Sequence, residues 1–337
     1  MGNRTIRIDE LKEQAVHILI SKGAAADEAE AIVADYLDAE LRGRTSHGFI
    51  SFAVAIASIE KRGRYEVETL EDSFIKIQGN GDNGHIVARK AIDLAAEQLP
   101  NQKVIAIGIR DITRFNCPGV IARYGAERGK IALVWEYGGK NYMIPHGGKE
   151  AVVGTNPLGI GIPHTDPLFV IDIALSERAI GFVELAKLRQ EPIPETWGVD
   201  KEGRPTTDPH QLAAVNPLGG YKGFALALAF EILSGALVQV PIGKAGSVSS
   251  RGALILLIDP TIFGHSTDSF REQVTSYLQE VVASPAIDPN YPVSYPGQSS
   301  EARARELLER GEIQLPGPVI ERLSSWYEEA RRSSVSE

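Results

Sequence analysis

The chain has 337 residues, enough for about two domains and a large core. Its formal net charge is −9 and it has no Lys/Arg-rich block, which argues against a nucleic-acid or anionic-membrane partner. Cys117 is the only cysteine, so an internal disulfide and a C-x-x-C metal site are excluded; no metal is expected, and a lone thiol fits a reducing compartment.

The N-terminus, "MGNRTIRIDELKEQ", has no apolar core of signal-peptide length, and Ile6 breaks the myristoylation pattern. No run approaches the roughly 18 apolar residues of a membrane span. The expectation is a cytoplasmic protein.

Helical spacing of Leu11, Ala15, Ile18 and Leu19 predicts a first helix from Ile8-Asp9, stopped at Gly23. A second opens at Asp27, with Ala29, Ile32, Val33, Tyr36 and Leu37 on its apolar face. After the stretch "LRGRTSHGF" a third helix is expected from Phe49 to Lys61. The texture then changes. "FIKIQG", "VIAIGIRD" and "KIALVWEYG" read as strands, and "GHIVARKAIDLAAEQL" and "GVIARYGAERG" as helices between them. "ALILLI" reads as a buried strand and "FALALAF" as a buried helix. Asp268 to Val281, Glu301 to Arg310 and Pro318 to Arg332 read as helices, with the loop "NYPVSYPGQSS" among them. The pattern predicts an α/β fold: a mixed-sheet domain, residues 71–257, inserted in a helical domain built from residues 1–70 and 258–337.

Four stretches are candidates for chemistry. Gly79-x-Gly81-x-x-Gly84 matches a dinucleotide fingerprint, but such a unit wants an acidic residue about 20 residues on, Asp111 lies 27 beyond Gly84, and a plain strand–turn–helix is the preferred reading. "PHGGKEAVVGTNPLGIGIP" is a chain of tight turns, either a connection between strands or a ligand wall. "VIDIALSERAIG" places Asp172 in an apolar strand, where a carboxylate is costly unless hydrogen-bonded. In "LGGYKGFALALAF", Lys222 stands at a helix start, against the macrodipole; a bound phosphate would relieve it.

Taken in order, "LRGRTSHGF", "GTNPLGIGIP", "DIALSERAIG", "WGVDKEGRPTTDP" and "LGGYKGFALAL" resemble the malate/L-lactate dehydrogenase family, which also holds ureidoglycolate, sulfolactate and diketogulonate enzymes and cyclic-imine carboxylate reductases. The similarity runs from about Ile8 to Leu323. It implies a sulfolactate-dehydrogenase-like, non-Rossmann cofactor domain and a homodimer using NAD or NADP. It also implies that His47, next to Ser46, donates a proton to a carbonyl or imine as hydride arrives; imidazole exchanges protons near neutral pH. The cofactor would be held by Ile171, Asp172, Ala174, Ser176, Tyr221, Lys222 and the turn at Gly297 and Gln298. Asp200 or Asp172 would orient His47.

Several positions depart from the family pattern. Ser51 stands where a carboxylate-gripping arginine is usual. Cys117, or Asn116, replaces a second histidine and becomes a catalytic candidate, although a small apolar filler is the plainer role for the thiol. Tyr137, Phe182 and Gln298 replace an asparagine, a lysine and a glutamate. Arg44 or Arg114 would have to supply the missing cation. Thr155 and His146 are further substrate candidates, His146 also reading as a loop residue. Two explanations follow: a reductase with a substrate atypical of the family, or a non-redox descendant (lyase, isomerase or binding protein) that keeps only the acid–base histidine.

Overall fold

The computed structural model describes residues 2–98, 100–113, 117–164, 166, 168–247 and 249–335, the last three of these without their side chains. Arg114 and Asn116 lie outside the described residues. Strand β1 (Asn3–Arg7) leads into helices α1 (Ile8–Ser21) and α2 (Ala26–Leu41). Two short 3-10 turns, Thr45–His47 and Phe49–Ser51, precede α3 (Phe52–Glu60). The expected third helix thus begins three residues late, because the chain first turns tightly around Gly48. There follow β2 (Glu66–Glu71), β3 (Phe74–Asp82), α4 (Gly84–Gln98), β4 (Val104–Ile112), α5 (Pro118–Glu127), β5 (Ile131–Tyr137), β6 (Leu158–Ile162) and β7 (Phe169–Ile173). Helix α6 (Ile180–Arg189), the short pair β8 (Gly198–Val199) and β9 (Ala214–Val215), α7 (Tyr221–Glu231) and β10 (Gly252–Ile258) come next. The chain ends in α8 (Thr267–Val282), α9 (Gln298–Arg310), β11 (Glu312–Pro316) and α10 (Gly317–Val335).

Seven strands form one mixed sheet in the order β2-β3-β4-β10-β5-β6-β7. Among the described residues of this sheet only β3 and β4 are parallel neighbours, joined by α4, and the other strand pairs are antiparallel. The G-x-G-x-x-G stretch ends β3 and opens α4, within the one parallel unit of an otherwise antiparallel sheet, whereas a doubly wound nucleotide sheet is mostly parallel. The Asn83 side chain caps that helix itself, Oδ1 accepting the His85 N–H at 3.0 Å. Central β10 alternates fully buried Ala253 and Ile255 with half-buried Leu254 and Leu256, so one of its faces is covered more completely than the other.

A second core lies among the helices. Leu11, Ile18, Ile32, Phe49, Phe52 and Leu323 are all fully buried there, so residues from both ends of the chain share it. The ends are also stitched directly: β1 pairs antiparallel with β11, Ile6 opposite Ile313. This small sheet was not expected, since "NRTIR" shows little apolar alternation. Asp35 on α2 is buried and accepts hydrogen bonds from Arg89 and, at 2.8 Å, His85 Nδ1 on α4. Burial alone would raise its carboxyl; the His85 bond and the Arg89 charge outweigh that and hold it low. The two cores are thereby tied together.

Two expectations need correction. The helix "FALALAF" is not buried all round. Ala227 is fully enclosed, but Leu226 and Leu228 on either side of it are 50% and 45% exposed, and Ile232 and Leu237 further along are exposed too. An apolar repeat without a polar face marks burial, but it does not say whether this chain or another covers it.

The other correction concerns Cys117. It is 3% exposed and packs with Ala39 and Val120 where α2 meets α5. Burial pushes its thiol well up, and the Asp172 charge adds to that. Catalysis needs an accessible thiolate or proton carrier, and Cys117 is an apolar filler instead. Ellman's reagent is expected to label Cys117 no faster than the folded protein opens, and fully in denaturant. Fast stoichiometric labelling of the native protein would contradict this placement.

Candidate active site

The turn that carries His47 follows α2 directly. The His47 N–H bonds Arg44 O at 2.8 Å and the Ser51 N–H bonds Gly48 O at 3.0 Å, so the turn is closed on itself. Ser51 Oγ also donates to Gly48 O at 3.0 Å. Ser46 Oγ lies 2.9 Å from His47 Nδ1, a hydrogen bond that sets the plane of the imidazole. Ser46 also packs so closely on Gly181, at the start of α6, that a side chain there would overlap its Cβ. His47 is half-buried between these elements.

Arg44 reaches from this turn to the edge strand β7. Its Nε lies 2.5 Å from Asp172 Oδ2, and the Asp172 side chain is 8% exposed. Here is the partner that a carboxylate in an apolar strand requires. The ion pair also changes the reading of Arg44, whose charge is committed to Asp172 before any substrate arrives.

Past β7 the chain threads between two neighbours. Leu175 N–H donates to Thr155 O at 2.9 Å on one side, and Glu177 N–H to Asn216 O at 2.7 Å on the other. Ser176 is buried beside Pro217, its Oγ donating to Arg178 O at 2.9 Å. Leu218 N–H returns to Leu175 O. Then Gly219 and Gly220, with φ of 60° and 68°, adopt a left-handed turn that a side chain would strain, and α7 begins at Tyr221. Tyr221 and Lys222 are both exposed, and Lys222 has no ion pair among the described residues. His146 is exposed too, its ring centroid 6.1 Å from that of Tyr221. Gly297, at φ 100°, is held against β7 by the Val170 N–H to Pro296 O bond of 3.2 Å, and Gln298 Oε1 accepts the Tyr295 N–H at 3.3 Å.

These links gather Ser46, His47 and Arg44, the segment Ile171 to Ser176, Thr155, and the Tyr221–Lys222 turn with His146 into one connected region. Gly297 and Gln298 border it along β7. Asp200 has other work. Its Oδ1 accepts the Glu202 and Arg204 N–H groups, both at 2.9 Å, and its Oδ2 accepts Arg204 Nε at 3.1 Å. Both oxygens build their own turn, which corrects the expectation that Asp200 orients His47. Of the other departures, Tyr137 is a fully buried core side chain, and Phe182 lies under the Arg178 guanidinium at 3.7 Å.

Sequence reasoning missed three supporting groups. Glu231 is buried on α7, and its Oε2 accepts both the Gly154 N–H and Asn156 Nδ2 at 2.9 Å. Asn156 Nδ2 also donates to Ala227 O at 2.8 Å. Together they strap the "GTN" turn to α7. The signal was a lone acid in an otherwise apolar helix, which burial forces to find partners. Glu40, beneath the His47 turn, is the third.

The sequence and fold are similar to those of known proteins. Residues 6–324 match the model of the malate/L-lactate dehydrogenase family. The malate/(S)-sulfolactate dehydrogenase of Methanothermus fervidus is 30% identical over 95% of this chain and 96% of its own. The (2R)-3-sulfolactate dehydrogenase (NADP(+)) of Chromohalobacter salexigens is 32% identical over 96% of this chain and 98% of its own. The crystal structure of a dehydrogenase from Sinorhizobium meliloti superposes with a TM-score of 0.85 at 29% identity, over 96% of this chain and 98% of that one. A strand-edge ion pair, a closed S-H-G turn and a glycine-led lysine helix thus sit on a fold and a sequence common to these enzymes, and the chain belongs to the malate/L-lactate dehydrogenase family.

Proposed function

We propose that this protein is a cytoplasmic NAD(P)-dependent reductase or dehydrogenase acting on a C=O or C=N next to a carboxyl or amide group. The observation that carries the reading is the joining of the His47 turn to the Asp172 strand by Arg44, with the unpaired Lys222 one hydrogen-bonded segment away. Lys222 at the first turn of α7, led by two glycines, fits a cofactor phosphate, and exposed Ile173 and Tyr221 offer apolar surface beside it. Family membership and the dehydrogenase names of the relatives support the same chemistry.

A bound reduced nicotinamide supplies the hydride and is left oxidised. His47 holds the proton that the substrate oxygen or nitrogen takes up as its carbon is reduced, and takes it back in the reverse direction. Ser46 fixes the imidazole through Nδ1. Asp172 holds Arg44 and with it the turn. Thr155, Ser51 and His146 are the proposed substrate contacts. Ser51 cannot grip a carboxylate as an arginine would, and Arg44 is already neutralised. A substrate less dependent on a carboxylate clamp than an ordinary 2-oxo acid is therefore favoured. Residues 71–257 are proposed as the cofactor domain, and 1–70 with 258–337 as the helical domain. Among the described residues no helix is long and apolar enough to cross a membrane.

The open face of α7 adjoins Lys222, and a second copy of this chain is its proposed cover. Exposed apolar side chains on both flanks of the narrow buried stripe of one helix, continuous with the site, suit an obligate homodimer better than solvent. Light scattering is expected to give twice the 36.5 kDa chain mass, and Leu226→Glu combined with Leu237→Glu to give the single chain. A monomeric wild type would sink the homodimer.

For the chemistry, NADH and NADPH titrations read by nicotinamide fluorescence should show binding of at least one nucleotide, weakened roughly tenfold or more in Lys222→Ala. His47→Gln should keep that binding while turnover falls by about 10²–10⁴-fold. If neither nucleotide binds the wild type, the redox reading fails.

A further inference from the structure

Glu40 lies in the last turn of α2, directly under the His47 turn, and is 4% exposed. Its Oε2 accepts the Phe49 N–H at 3.1 Å. The same carboxylate occupies the space over Gly48, where any side chain would overlap it. The two residues that follow His47 are therefore both shaped by Glu40: one by the absence of a side chain, the other by a hydrogen bond from its backbone. Bonds to Arg44 O, Thr45 O and Gly48 O close the turn on itself, and Arg322 of α10 donates to Ile50 O at 3.2 Å. Glu40 supplies a tie from the turn to the rigid helix before it.

We propose that Glu40 is the positioning residue of the proton donor, clamping the backbone after His47 onto α2 and so fixing where the imidazole stands. This rests on the reading of His47 as that donor. A group held within about 0.5 Å needs such a support on a rigid element.

The clamp titrates. Burial pushes the Glu40 carboxyl up to about 7, against the Phe49 N–H and the Arg303 charge, which both favour ionisation. Arg303 comes from α9, its side chain running over Gly43 at the end of α2. From the His47 turn the group that meets Glu40 is the Phe49 amide; from α2 itself no charged side chain acts on it appreciably. Ionised, Glu40 is a charge-assisted acceptor for Phe49. Protonated, it holds that N–H more weakly. The linkage sign is opposite for stability. A folded value raised above the ordinary 4.5 means that the folded state holds the proton more tightly, so the Glu40 contribution is best below about pH 4.5 and is lost as pH rises through about 7. Glu40 thus weakens the fold in the pH range where it holds the turn best.

The test is nuclear magnetic resonance of full-length protein labelled at phenylalanine nitrogen and at the histidine ring, with Phe49→Leu and His47→Gln assigning the signals. Between about pH 5.5 and about pH 9 the Phe49 amide should shift with a midpoint near 7, and the midpoint should vanish in Glu40→Gln. The His47 ring signals should stay near wild type in Glu40→Gln, which keeps an acceptor, and move or broaden in Glu40→Ala. A Phe49 amide that does not titrate, or that titrates equally in Glu40→Gln, would overturn the proposal; so would unchanged His47 signals in Glu40→Ala. Should His47→Gln retain turnover instead, the role given to His47 falls while the Phe49 titration stands.

Discussion

The short ion pair between Arg44 and Asp172 is the constraint on which the site depends. It joins the two parts of the molecule that carry chemistry, a tight turn after a helix and the edge strand of a seven-stranded sheet. Taking both charges out of water is costly, and such a pair adds little net stability compared with apolar packing. What it supplies is geometry. With Asp172 held at one end of β7, the next residues run in a single extended path between Thr155 and Pro217, and that path sets where α7 begins. A shift at Asp172 would be felt at Lys222 without either residue touching the other.

Around that link the protein uses buried polar groups as ties rather than as chemistry. Asp35 binds α2 to α4, Glu231 binds the "GTN" turn to α7, and Glu40 binds the His47 turn to α2. Each is a carboxylate accepting backbone or side-chain donors from a neighbouring element. The His47 turn is mounted on α2 and the "GTN" turn on α7 in this way, which makes a reacting geometry more precise than a loop alone would.

Much of this was legible in the sequence, for identifiable reasons. Apolar spacing of 3.6 located α1, α2, α4 and α5, and apolar β-branched runs located β4, β5 and β10. His47 and Lys222 stood out because a histidine between serine and glycine, and a lysine against a helix dipole, are locally odd. The rest depends on long-range partners. β1 and β11 stabilise each other across the whole chain length, so neither shows a pattern alone. Periodicity marked α7 as apolar but could not say that one face would be open. Arg44 reads as a free cation in the sequence because Asp172 lies far along the chain, and Asp200 reads as an orienting acid because nothing in the pattern says that its carboxylate closes a turn with Arg204, four residues on.

The most direct test is a double-mutant cycle on the Arg44–Asp172 pair, read as nucleotide affinity by NADH and NADPH fluorescence. If the pair sets the cofactor strand, Arg44→Gln and Asp172→Asn should each weaken binding roughly tenfold, and the double variant should bind no worse than either single one, a coupling of about 1.4 kcal/mol. Single variants that bind like wild type, or losses that multiply in the double variant, would contradict the account.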